Sequence, residues 1–72
     1  MTIDQLEIGK TYEGSDPMIH YAFRYLGEGD IEILSAISAY MHYSHPTHLN
    51  GTKVSLYENP YYIYMDSIQP LT

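Results

Sequence analysis

The chain contains no cysteine and no tryptophan, one phenylalanine, and only three basic residues, Lys10, Arg24 and Lys53. Without cysteine there is no disulfide framework, and no thiolate can serve as nucleophile or metal ligand. Three scattered cations do not make the clustered phosphate contacts on which nucleic-acid affinity rests, so no direct nucleic-acid binding is expected. No apolar run approaches the roughly 18–20 residues of a membrane span. The opening MTIDQLEIGK has neither the basic start nor the apolar stretch of a signal peptide. A cytoplasmic protein with no membrane association is the expectation. Catalytic motifs are missing as well. There is no GxSxG elbow, and Gly27-Glu28-Gly29 is too short and too acidic for a phosphate loop. No carboxylate pair is marked for acid–base hydrolysis. The expectation is a non-enzymatic protein with no cofactor.

What is present is the composition of one small folded domain spanning residues 1–72. Hydrophobic residues make up 44% and charged residues 17%, which argues against intrinsic disorder. Nine Asp and Glu leave a net charge of -6, which favours a basic partner. Nine tyrosines are the compositional anomaly. Tyr buries a large ring but keeps a hydroxyl that needs water or a partner. A core built from Tyr therefore runs out to the surface, as in a thin barrel or a sheet with one wet face.

Turn signals divide the chain into short pieces. TIDQLE reads as a helical turn capped by Thr2 or Asp4, followed by a short strand at about Ile8–Glu13 and a breaker at Gly14-Ser15-Asp16-Pro17. Met18–Leu26 is the clearest strand. Ile19, Tyr21, Phe23 and Tyr25 share one face, with His20, Ala22, Arg24 and Leu26 on the other. Gly27-Glu28-Gly29-Asp30 reads as a tight turn. IEILSAISAYMHY fits two templates. As a strand it places Ile31, Ile33, Ile37, Ala39, Met41 and Tyr43 on one face, with Ser35 the exception. As a helix over about 31–42 it would be capped by Asp30, with Ile33, Leu34, Ile37, Tyr40 and Met41 in a stripe. The tight turn before it favours the strand. Asn50-Gly51 is a hairpin signal, and KVSLY and YYIYM read as a second hairpin about Glu58-Asn59-Pro60. The tail DSIQPLT is expected to fold back through Ile68 and Leu71. The fold expected is mostly β, a strongly bent antiparallel sheet or five-stranded barrel. The alternative is α+β with one helix at about 31–42. In element count and spacing the chain resembles the Src-homology-type and Sm-like small barrels.

Three clusters are candidates for function. His42, His45 and His48 stand three apart in MHYSHPTHLNG. In a strand such residues alternate faces, and in a helix Pro46 would disturb the last turn, so only an irregular loop would gather them around a metal. A solvated loop, a pH-sensitive surface and a metal site are the three readings. Glu28, Asp30 and Glu32 alternate, and in a strand their side chains would repeat about every 6.6 Å along one face. Such a row can imitate a phosphate backbone, and Asp4, Glu7, Glu13 and Asp16 extend its field. Tyr61 and Tyr62, in LYENPYYIYM, are candidate interface anchors. Compact, cysteine-free, Tyr-rich and acidic, the chain resembles the small bacteriophage proteins that inhibit host factors, some by DNA mimicry. That resemblance implies an inhibitor whose partner is a basic protein, such as a DNA-binding host protein. A self-associating subunit, for example a homodimer, and a histidine-based metal-binding protein are the alternatives.

Overall fold

The computed structural model describes residues 1–38, 51–58 and 63–71. A 3-10 turn at Ile3–Gln5 precedes strands β1 (Thr11–Ser15), β2 (Ile19–Gly27), β3 (Asp30–Ser38) and β4 (Lys53–Ser55). A second 3-10 turn at Met65–Ser67 leads into β5 (Gln69–Pro70). The strands form one antiparallel sheet in the order β4-β3-β2-β1-β5.

This corrects the expectation of a barrel or a strongly bent sheet, because the sheet is open and not strongly curled. Closure would need the two outer strands to pair. They lie at opposite ends of the order and are only three and two residues long. Pro70 has no N–H to donate, which suits an edge. The alternative helix at about 31–42 is also corrected, since Asp30–Ser38 is extended and pairs with β2. The two-residue turn before it delivers the chain directly into a hairpin. Residues 39–42 lie outside the described residues.

Residues 59–62 of the expected second hairpin lie outside the described residues, and the described parts on either side differ from that reading. The segment before residue 59 pairs with β3, while Met65–Ser67 is a 3-10 turn rather than strand. The fifth strand is instead Gln69–Pro70, which pairs with β1. Ile68 is buried as expected, but Leu71 is exposed.

The face assigned to β2 is correct, with Tyr21, Phe23 and Tyr25 buried. On β3 the pattern changes phase. Ala22 opposes Ser35 and Phe23 opposes Ile33, so Leu34 is an extra, bulged residue. A one-residue offset sends later side chains to the opposite faces. Ile31, Ile33 and then Ala36 are therefore buried, while Ile37 is exposed.

The core is completed by Leu6, Tyr12, Leu56, Ile63 and Ile68. Among the described residues its three tyrosines, Tyr12, Tyr21 and Tyr25, keep their hydroxyls bonded. Tyr12 Oη accepts from the Glu7 N–H at 2.8 Å, and Tyr25 Oη from the Gly29 N–H at 2.9 Å. Tyr21 Oη donates to Asp16 Oδ2 at 3.1 Å. Tyr25→Phe would strand the buried Gly29 N–H, at a cost of about 1–3 kcal/mol. Tyr12→Phe exposes its partner more readily and should lose less. Thermal melts of the two variants check this order, and equal melting points would contradict it.

Candidate functional site

Sorting the nine carboxylates by what they bond locates a site. Glu7 Oε2 is 2.7 Å from Lys10 Nζ. The Glu7 hydrogen bond and charge hold that lysine above its ordinary pKa. Both side chains are exposed, so the pair adds little stability. Glu32 Oε1 is 3.0 Å from Arg24 Nη1, across the β2–β3 ladder, and Lys53 stands opposite Glu32 on β4. Two of the three basic side chains thus flank one expected member of the acidic row.

Asp16 has a local task. Its Oδ1 accepts from the N–H groups of Met18 (2.8 Å) and Ile19 (2.6 Å) while its Oδ2 holds Tyr21, so it shapes the β1–β2 turn. Glu13 lies on the face of β1 opposite the core and is bonded by Gln69 Nε2. Its rung, Ser35–Ala22–Glu13–Gln69, has small side chains at Ser35 and Ala22, and an open groove lies on that face beside His20 and Ile37.

Five carboxylates remain: Asp4, Glu28, Asp30, Glu58 and Asp66. All are exposed, and none makes an ion pair or side-chain hydrogen bond among the described residues. The four chain segments that carry them meet about Tyr57. The β2–β3 connection is a two-residue turn with φ of 55° at Glu28 and 82° at Gly29. Such positive values match the twist of a hairpin. At Gly29 the missing side chain is used directly. A Cβ there would stand 2.4 Å from Tyr57 Cε2, so the ring lies on the glycine backbone. Leu56 N–H donates to Gly29 O at 2.7 Å and fixes this approach. Glu28 and Asp30 flank the glycine, and Glu58 follows the tyrosine.

Tyr57 also lines a concavity of about 300 Å³ with Thr2, Ile3, Asp4 and Met65. Asp66 follows Met65 in the chain. The Met1 ammonium donates to Met65 O at 3.1 Å, and no Lys or Arg side chain lines this concavity. Tyr57 keeps 70% of its surface exposed. The turns and an exposed ring thus form an acidic end with an apolar dimple.

No family model, no curated protein and no solved structure matches the chain. Among the described residues no group of three or more His, Asp or Glu could hold a metal ion. His42, His45 and His48 lie outside the described residues, as do Tyr61 and Tyr62. Among the described residues no helix is long and apolar enough to cross a membrane.

Of the expected acidic row, Glu28 and Asp30 belong to this end, while Glu32 is paired with Arg24. Glu13 and Asp16 are bonded elsewhere. Tyr57, Glu58 and Asp66 were not anticipated. No spacing marks them, because four separate chain segments meet at this end.

Proposed function

We propose that the protein is a non-enzymatic binding module that occupies a basic surface of another protein. The sharper form is an inhibitor that covers a nucleic-acid-binding surface by acidic mimicry, acting on a cytoplasmic partner. The observation that carries this reading is that the segments bearing five carboxylates, none in an ion pair among the described residues, meet at one end, with the Lys10 and Arg24 charges tied to Glu7 and Glu32. Exposed carboxylates on the segments around an exposed ring offer charge for steering and an aromatic anchor for contact. Self-association through sheet edges has weaker support. One outer strand ends in Pro70 and the other begins with Lys53, and both residues blunt edge pairing.

The test compares affinity capture by the wild-type chain and by a variant carrying Asp4→Asn, Glu28→Gln, Asp30→Asn, Glu58→Gln and Asp66→Asn. A control carries Glu7→Gln and Glu13→Gln. Exposed charge pairs contribute about 0.2–1 kcal/mol each. Five together should therefore weaken the captured complex by about fivefold or more. The wild-type complex should also weaken with added salt and be displaced by duplex DNA. Equal affinity of wild type and the five-site variant would end the proposal.

A further inference from the structure

We infer that the acidic end selects arginine over lysine in its partner, by stacking a guanidinium on Tyr57 in the dimple formed with Thr2, Ile3, Asp4 and Met65. This rests on the proposed acidic binding surface and names the chemistry of what it binds. The dimple and the charges are separate features that agree. The dimple, at about 300 Å³, is open and is lined by Ile3, Met65 and the Tyr57 ring. It is wide enough for one planar head group. Among the described residues Asp4 is the one charged side chain in its lining, and it favours a cationic occupant.

The ring is held for contact rather than left loose. One side rests against the Gly29 backbone, and the Tyr57 N–H donates to Ser55 Oγ at 3.1 Å. Most of the ring nevertheless faces solvent. A cation over an aromatic face is attracted by the ring quadrupole. Arginine has two further advantages over lysine here. Its plane stacks on the ring, and its fork of donors can bond a carboxylate such as Asp4 with two parallel hydrogen bonds. Its weaker hydration lowers the penalty of entering an apolar dimple.

The experiment is calorimetric titration of the full chain, at low salt, with hexa-arginine and hexa-lysine peptides of equal charge. The expected result is tighter binding of the arginine peptide by about 2- to 5-fold, the range of an exposed cation–π contact. Tyr57→Ala should bring the two affinities together by weakening arginine alone, and Tyr57→Phe should keep the preference. Tyr57 is largely exposed, so its truncation leaves the core intact, which a thermal melt of the variant verifies. If both peptides bind wild type equally, or if the preference survives in Tyr57→Ala, arginine selection is wrong and the acidic surface stands. If neither peptide binds, both readings fall.

Discussion

Phe23→Ala is expected to lower Tm by about 12 °C or more, followed by circular dichroism. Phe23 has no exposed surface and sits in β2, between β1 and β3. Its ring stacks with that of Tyr12, centroids 6.0 Å apart and planes 28° from parallel. Truncating a buried phenylalanine to alanine removes about 3–5 kcal/mol. A chain of this length has roughly 4–11 kcal/mol in total, at about 0.05–0.15 kcal/mol per residue. Each kilocalorie shifts Tm by about 4–8 °C in a domain of this size. Phe23→Leu keeps most of the volume and should lose much less. A Phe23→Ala protein that melts within a few degrees of wild type would show that the sheet's inner face is not the stabilising core.

The second large effect is at Gly14, where strand propensity and packing predict opposite signs. Valine is a favoured strand residue and glycine a disfavoured one, so propensity alone predicts that Gly14→Val stabilises β1. Packing predicts the reverse. A Cβ at Gly14 would lie 2.9 Å from Ile63 Cγ2 and 3.1 Å from Ile68 Cγ1. Both isoleucines are buried, in the segment that crosses β1 on its way to β5. Overpacking a core costs about 1–3 kcal/mol, and the two further methyl groups of valine place it near 3. Gly14→Ala should lie between wild type and Gly14→Val in urea midpoint. A valine variant more stable than wild type would overturn this account of how the C-terminal segment seats.

Both variants bear on how much was legible in the sequence. The β2 face was readable because nine residues alternate without interruption, and the turn after it was readable from its glycines. The strand character of residues 31–38 was favoured correctly. Its later face was not, because nothing in ILSAI announces that Leu34 is looped out. The open sheet was not legible either. β5 is two residues long and includes a proline, which carries no strand signal, and it is placed by Ile63 and Ile68 packing on Gly14. The acidic end was legible only in part, through Asp4, Glu28 and Asp30, for a related reason. Periodicity reports neighbours along one element, whereas Asp4, Glu28, Glu58 and Asp66 come from four segments that only the fold brings together.

The way β1 is completed also sets a timetable. Its outer side is bonded by later residues: Tyr64 N–H donates to Ser15 O at 2.8 Å, Ser15 N–H donates to Ser67 Oγ at 2.9 Å, and Leu71 N–H donates to Thr11 O at 3.2 Å. The β1–β2–β3 meander involves only neighbours in sequence, and hairpins form in about 1–10 µs. A ribosome adding about 5–20 residues per second needs about 1–5 s to go from residue 38, where β3 ends, to residue 64. During that interval the newborn chain carries a paired meander with one bare side on β1. Residues 64–71 are what shut that side, so during synthesis protection against wrong pairing arrives only after the meander is made.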